Sequence, residues 1–187
     1  MNRDDLIVVR VLFQNIEDGD RRKFAARSND SPTGGGARDL RFRPESEFWP
    51  FFKLVFPNRR GEARKSKGVY REIEILSGRV QWQQFGQEKS AILEVWPSTD
   101  ARPNEARIAQ ISRLGIYDLI KDDPVGGRSV FMLFQQKNGT IRLHFTTEHS
   151  LLSHDWDPTI REFATAWIRS GVKSAFFDLE SKRRYPK

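Results

Sequence analysis

The chain has 187 residues, no cysteine and a formal net charge of +7 at pH 7. This length suits one domain with a buried core, and the absence of cysteine excludes disulfides and thiolate metal sites. The apolar runs are too short to span a bilayer, and no charged-then-apolar leader opens the chain. We therefore expect a soluble, cytoplasmic protein.

The basic residues are concentrated in one third of the chain. Residues 21–79 hold 15 Lys and Arg against 7 Asp and Glu, whereas the rest holds 17 basic and 18 acidic side chains. A balanced scaffold with one strongly basic segment indicates a surface that binds a polyanion such as nucleic acid. A solvated surface that happens to be basic is the alternative interpretation.

The first predicted elements are two strands and a helix. Residues 6–14 are an apolar, β-rich run and predict a buried strand. Residues 21–43 hold few large apolar side chains and three consecutive glycines, which predicts an irregular segment that ends in a short strand at 40–43. Residues 46–56 are rich in aromatic side chains and predict a short buried helix that closes one end of a barrel.

The middle of the chain predicts a loop followed by strands. Residues 58–68 are basic and predict a loop. Residues 69–76 and 79–85 alternate with period two, so they predict a hairpin with its turn at 77–78. Residues 91–96 predict one more strand.

The C-terminal third predicts two helices and a hairpin. Residues 104–120 are compatible with a helix, and the Asn-Gly pair between residues 128–136 and 140–147 is a strong hairpin signal. Residues 158–170 predict a helix with Asp157 as N-cap and an end at Gly171. The apolar stripe expected to pack this helix on the sheet consists of Ile160, Phe163, Ala164, Trp167 and Ile168.

These elements predict a β-dominated α+β fold. Consecutive hairpins favour an antiparallel, barrel-like sheet of seven or eight strands with two or three helices. No internal repeat and no linker divides the chain, so we expect residues 1–187 to form a single domain, with residues 181–187 as the start of a linker.

No motif predicts a cofactor or a metal site. The triple glycine lacks the Gly-Lys-Ser/Thr sequence that follows in a phosphate-binding P-loop. The three histidines are five residues apart, a spacing that suits neither one helix face nor one strand face. Glu180 and Lys182 match the end of a metal-dependent nuclease signature. Because Asp178 is too close to serve as the upstream carboxylate, a small nuclease is kept only as an alternative.

Two basic segments form a candidate interface for duplex DNA. Residues 27–38 have Arg at both ends and small residues between them, whose backbone amides can approach phosphates. Residues 102–107 supply arginine, asparagine and glutamate, which can pair with guanine, adenine and the N4 amino group of cytosine respectively.

Short anchors that surround these segments resemble a known family. They are Ser-Asn-Asp-Ser-Pro-Thr-Gly-Gly at 28–35, Leu-Val-Phe-Pro at 54–57, Asn-Glu-Ala-Arg-Ile at 104–108, and the later strand pair. Their order and spacing are similar to those of the N-terminal effector domain of EcoRII-like restriction endonucleases. The resemblance covers roughly residues 23–147, with low identity between the anchors.

The resemblance implies a DNA-binding pseudobarrel, a fold shared with a class of plant transcription-factor domains. Two arms grip the major groove, and they map onto residues 27–38 (the first arm) and 102–107 (the second arm). The implied target resembles 5′-CCWGG, read without catalysis, with a nuclease domain as a C-terminal partner in the full-length protein. Pro103 and Ala37 stand where the family has a basic residue and a histidine. A transcriptional regulator or RNA-binding module with the same barrel is a further alternative.

The expected contacts with DNA fall into three sets. Cations just before the first arm are expected to contact phosphates, whereas the two arms are expected to contact phosphates and base edges. The residues are Arg21, Arg22, Lys23, Arg27, Ser28, Asn29, Asp30, Thr33, Gly34, Gly35, Gly36, Ala37, Arg38, Arg102, Asn104, Glu105 and Arg107.

Overall fold

A computed structural model of the protein describes residues 7–25, 39–66, 69–100 and 102–187. These residues form ten strands, which make one curled sheet, and four α-helices. None of the helices in the described part of the chain is long and apolar enough to cross a membrane.

The elements follow one another in a mostly β order. The strands are β1 (Val8–Ile16), β2 (Leu40–Phe42), β3 (Asn58–Ser66), β4 (Val69–Gln84), β5 (Gln87–Trp96), β6 (Ala106–Ile108), β7 (Ser129–Gln136), β8 (Ile141–Thr147), β9 (Ser174–Asp178) and β10 (Arg183–Tyr185). The helices are α1 (Asp18–Phe24), α2 (Glu45–Val55), α3 (Glu148–Leu151) and α4 (Pro158–Ser170). In the sheet the order is β10-β9-β1-β7-β8-β4-β5-β6-β2, and β3 pairs with β4 outside this order.

Strand β1 lies between β7 and β9 and is buried on both faces. Leu12 and Ile16 belong to the larger core cluster, together with the aromatic side chains of α2. Val11 and Phe13 belong to a second cluster, which α4 covers. This double burial explains the nearly continuous apolar run of β1 and confirms the first predicted strand.

Helices α2 and α4 confirm two predicted helices. At the start of α4 the Asp157 carboxylate accepts a hydrogen bond from the backbone N of Thr159 at 2.8 Å, and the helix ends at Gly171 with φ +68°. The predicted apolar stripe packs on the sheet, where Trp167 stacks on Phe13 with ring centroids 5.1 Å apart. The hairpin of β7 and β8 around Asn-Gly is also confirmed.

The predicted hairpin turn at 77–78 is wrong, because β4 runs straight through it. A Cβ atom at Gly78 would lie 3.1 Å from side-chain atoms of both Ile141 and Phe56, so the glycine permits close packing. The turn lies instead at Phe85 and Gly86, where both φ angles are positive.

The predicted basic loop at 58–68 is also wrong over most of its length. Residues 58–66 are strand β3, which pairs with residues 69–77 of β4 in a two-stranded ribbon. The side chains of β3 have no apolar alternation that would predict a strand. We call β3 and residues 69–77 the basic ribbon.

The sheet is mixed, whereas we predicted an antiparallel one. Strands β4 and β8 are parallel, with Val80 opposite Ile141. The predicted helix at 104–120 is replaced by β6 and two 3₁₀ turns, because Gln110 and Gly115 adopt positive φ angles that a helix does not allow. Helix α1 and strands β9 and β10 were not predicted, and β10 lies within the segment where we expected a linker to begin.

Candidate nucleic-acid interface

The chain continues from each arm into one of two neighbouring strands. Strand β2 follows the first arm closely in sequence, and it pairs antiparallel with β6, so that Arg41 lies opposite Arg107. Strand β6 also pairs with the end of β5, where Trp96 lies opposite Arg107. Residues 97–100 and 102–105 therefore lie between β5 and β6. The fold thus brings the second arm to the place where the first arm ends.

The first arm itself lies outside the described residues. Its predicted contacts, which stay predictions, are those of Arg27, Ser28, Asn29, Asp30, Thr33, Gly34, Gly35, Gly36, Ala37 and Arg38.

Asp39, the first described residue after the first arm, binds the second arm. Its Oδ2 accepts a hydrogen bond from Nη1 of Arg107 at 3.0 Å and lies 4.0 Å from Nη1 of Arg102. Its Oδ1 accepts from the backbone N of Gln110 at 3.1 Å. Because the Asp39 side chain is 3% exposed, these contacts hold Asp39 against Arg107 of the second arm inside the protein.

A pocket of about 370 Å³, which we call the arginine pocket, lies at this junction. It is lined by Arg64 of the basic ribbon, Arg102 and Arg107 of the second arm, Asp39 and the indole of Trp96. The guanidinium carbon of Arg64 is 3.9 Å from the Trp96 ring centroid, and that of Arg107 is 5.9 Å away. Both distances fall within the range of cation–π contacts.

Positive charge exceeds negative charge in the arginine pocket. Arg102 and Arg107 share the carboxylate of Asp39, whereas Arg64 pairs with Glu62 at 3.0 Å. Nε of Arg107 and Nη1 of Arg102 are buried and have no hydrogen-bond partner in the described part of the chain. Burial lowers the pKa of Arg107, Asp39 opposes this shift, and the charges of Arg102 and Arg64 add to it. Arginine nevertheless stays protonated, so the pocket holds buried positive charge with unsatisfied donors.

Asn104 anchors the second arm to helix α2. Its backbone O and its Oδ1 both accept from the backbone N of Glu45, at 3.3 and 3.1 Å. The Glu45 carboxylate in turn accepts from the backbone N of Ser98 at 2.7 Å. Asn104 has φ +59°, a conformation that asparagine tolerates, and it is exposed. These contacts leave its amide nitrogen available for a base edge.

Glu105 has no exposed surface. It is held by Arg41 of β2 and by Arg43, which directly follows β2. Its Oε2 accepts from Nη2 and Nε of Arg43 at 2.7 and 3.1 Å, and its Oε1 lies 3.6 Å from Nε of Arg41. A cytosine amino group would have to displace Arg43 to reach this carboxylate. The predicted contact between Glu105 and cytosine therefore stays a prediction that requires this exchange.

The three cations before the first arm lie on α1. Arg21 donates to Oγ of Ser129 at 2.6 Å and forms an ion pair with Asp122. Lys23 forms an ion pair with Asp20 of the same helix. Arg22 is exposed, and no hydrogen bond or ion pair joins it to another described residue. Of the three, Arg22 is the cation most open to a phosphate.

Asp20 sits between two lysines. Its carboxylate accepts from Nζ of Lys23 at 2.6 Å and lies 2.7 Å from Nζ of Lys173. Burial disfavours the charged carboxylate, but the hydrogen bonds from Lys173 and Lys23 outweigh burial and hold the pKa of Asp20 below its ordinary value of 3.8. This cluster ties α1 to Lys173, the residue that precedes β9.

The basic ribbon is a part of the surface that the sequence interpretation missed. Strand β3 is exposed and carries four basic side chains against one acidic side chain, Glu62. Glu62 accepts from Arg60 at 2.6 Å and from Arg64 at 3.0 Å. Two-stranded ribbons of this width fit the major groove of B-DNA. No periodic pattern marks β3, so the high density of arginine was the one available signal.

The carboxylates of the alternative nuclease interpretation are bound to an arginine. Nε of Arg10 lies 3.2 Å from Oδ1 of Asp178, and its Nη2 forms an ion pair with Glu180. In the described part of the chain, no three His, Cys, Asp or Glu side chains come together as a metal site would require. A divalent cation would therefore have to displace Arg10 to bind both carboxylates.

Comparisons with family models, with curated proteins and with solved structures find no match to this chain.

Proposed function

We propose that this protein recognises duplex DNA by sequence, through the first and second arms, without catalysing a reaction. The observation that carries this proposal is the position of Asp39. Asp39 directly follows the first arm in sequence, and its carboxylate contacts Arg107 and Arg102 of the second arm. A protein that holds two basic segments against one duplex can use phosphate contacts for position and base contacts for sequence.

The excess of positive charge supports nucleic acid as the partner. The region 21–79, where the excess lies, contains α1, the first arm and the basic ribbon. Strand β3 lies outside the strand order of the sheet, because β4 is the one described strand with which it pairs. The basic ribbon meets the second arm at the arginine pocket, so both can contribute phosphate contacts to one duplex.

The sequence that we propose as the target follows from the resemblance to EcoRII-like effector domains. It is 5′-CCWGG, which would make the chain the recognition domain of a restriction enzyme. In that case the nuclease activity belongs to a separate domain of the full-length protein. Asn104 is the described residue of the second arm best placed to meet a base edge, because it is exposed and its amide nitrogen is available.

The experiment measures the affinity of the protein for labelled duplexes by fluorescence anisotropy. The duplexes contain CCWGG, a single mismatch in it, or the scrambled sequence, and an RNA duplex of the same sequence is the fourth probe. At physiological salt we expect the CCWGG duplex to bind about a thousandfold more tightly than the scrambled duplex. The affinities for all duplexes should fall steeply as the salt concentration rises. Equal affinity for the three DNA probes would reduce the protein to a nonspecific polycation, and a preference for RNA would reject the proposal.

The same samples test for cleavage. We expect intact DNA after incubation with Mg²⁺ or Mn²⁺, because Arg10 occupies the space between the two carboxylates that a cation would need. Cleavage that is lost in Glu180→Ala would establish the nuclease instead. Asp118→Asn, which removes an exposed carboxylate, is the matched control for that variant.

A further inference from the structure

Three separate parts of the chain contribute an arginine to the arginine pocket. Arg64 comes from the basic ribbon, Arg102 from the loop after β5, and Arg107 from β6. The volume of the pocket is about 370 Å³, and it opens to solvent. This space admits a small polyatomic anion with part of its hydration shell.

The donors and acceptors of the pocket select the class of ligand. Arg64, Arg102 and Arg107 offer donors alone, and two of their buried nitrogen atoms have no partner among the described residues. The Asp39 carboxylate already accepts from Arg107 and from the backbone of Gln110. A ligand that satisfies these groups must therefore present acceptors and negative charge, as an oxyanion does.

A phosphate group fits this arrangement better than a base edge. An arginine that reads guanine extends its guanidinium into the groove and pairs in the plane of the base. The Arg107 side chain is 10% exposed and is held by Asp39, so it cannot extend in this way without breaking that ion pair. Three guanidinium groups that line one pocket suit a tetrahedral group with several oxygens.

We infer that the arginine pocket binds one phosphate group, and that in the complex this is a backbone phosphate of the duplex. The source of the phosphate rests on the proposed function, whereas the pocket's chemistry does not. Arg107 then forms the floor of the site, and Arg102, which is more exposed, and Arg64 close over the phosphate. The second arm is thereby set on the duplex by a phosphate contact, next to Asn104.

The first test uses inorganic phosphate alone, at constant ionic strength against chloride. The indole N–H signal of Trp96 is followed by NMR and is identified among the five tryptophans with Trp96→Phe. We expect a saturable shift that Arg102→Ala weakens by about tenfold or more, the loss of one charge-assisted hydrogen bond. Asp39→Asn should tighten phosphate binding, since it removes the repelling carboxylate. Arg169→Ala, which removes an exposed arginine from the last turn of α4, should change nothing.

The second test uses duplexes in which single phosphates are replaced by neutral methylphosphonates. One of these replacements should lower the affinity of the wild-type protein. The same replacement should leave the affinity of Arg102→Ala unchanged. In Arg102→Ala, the slope of log affinity against log salt should fall by about 0.9, with the preference for CCWGG unchanged. Arg107→Ala should likewise weaken all duplexes by the same factor, whereas relaxed specificity would mean that Arg107 reads a base and would overturn the inference.

The two proposals fail in different ways. If phosphate shifts Trp96 in an Arg102-dependent manner but no duplex binds, the pocket is a phosphate site and the proposed function is wrong. If the duplex binds and Arg102→Ala matches wild type in affinity and salt slope, the proposed function stands and this inference is wrong. A shift of Trp96 that chloride produces equally would also overturn it.

Discussion

The ion pair between Asp39 and Arg107 should be the most sensitive contact at the junction of the arms. We expect Asp39→Asn to lower the free energy of unfolding markedly. The change keeps the size of the side chain and the acceptor for the backbone N of Gln110, but it removes the negative charge. Arg107, with its side chain 10% exposed, would then be a buried cation beside Arg102 and Arg64.

The magnitude follows from the burial of the two partners. Removal of one partner from a buried ion pair costs about 3–5 kcal/mol, because the other charge is left uncompensated. The pocket opens to water on one side. Arg102, which is one quarter exposed, can turn toward the water and so repel Arg107 less. We therefore expect a cost at the lower end of this range. A loss of about 3 kcal/mol lowers the melting temperature of a protein of this size by roughly 6–12 °C.

Urea denaturation and calorimetry measure this effect, with Asp118→Asn as the matched control on an exposed carboxylate. We also expect the double variant Asp39→Asn/Arg107→Met to recover a large part of the loss, since no buried charge is then left unpaired. An Asp39→Asn variant within about 0.5 kcal/mol of wild type, the size of an ordinary surface substitution, would refute the reasoning. It would mean that the contact does not hold the arms together.

Three further predictions concern other residues around the arms. The lowered pKa of Asp20 contributes stability that is present above pH 3.8 and is lost as the pH falls through the folded-state value. The stability of Asp20→Asn should therefore depend less steeply on pH below pH 3.8 than that of the wild type, in acid titrations followed by circular dichroism. Parallel titration curves for the variant and the wild type would contradict this. Gln14 is fully buried and its amide has no partner among the described residues, so Gln14→Leu should raise the melting temperature, whereas a clear decrease would reveal a partner. Glu105→Ala should reduce discrimination at a cytosine by about 1–3 kcal/mol if the carboxylate exchanges Arg43 for the base, whereas Arg22→Ala should weaken all duplexes alike. Uniform weakening by Glu105→Ala, measured by anisotropy on mismatched duplexes, would make Glu105 a positioning residue.

The elements that the sequence predicted correctly are those with a local physical cause. The turn between β7 and β8 needs a positive φ angle at Gly139, +85°, which glycine adopts at low cost. The cap at Asp157 and the left-handed end at Gly171 fix α4 with hydrogen bonds to nearby backbone groups. Each of these signals lies within a few residues of the structure that it determines, so no knowledge of the fold is needed to interpret it.

The errors arose where a residue type serves more than one purpose. Gly78 could mark a turn or a close contact, and its contact with Ile141 lies 63 positions away in sequence, where no local pattern points to it. Strand β3 is stabilised by pairing with β4 and keeps its side chains in water, so hydrophobic periodicity cannot detect it. The parallel pairing of β4 with β8 likewise depends on how distant elements meet.

At the candidate site, the residue types could be interpreted from the sequence, but the contacts between distant residues could not. The arginines, asparagine and glutamate of the second arm indicated a nucleic-acid interface, because their donors and acceptors match those of bases and phosphates. Their individual roles depend on Asp39 and Arg43, which lie more than sixty residues earlier in the chain.

The acidic side chains at the junction determine which cations are left for a ligand. Glu105 engages Arg43 and lies close to Arg41, so it neutralises positive charge on the strand side of the second arm. Asp39 offers a single charge to Arg102 and Arg107 together, and on their side of the junction positive charge is in excess. The arginine pocket holds two unsatisfied guanidinium nitrogens of the second arm, and Asp39 is the one carboxylate among its described lining residues. An anion should therefore bind first at the pocket, and any contact of the arms with bases would be positioned by that phosphate.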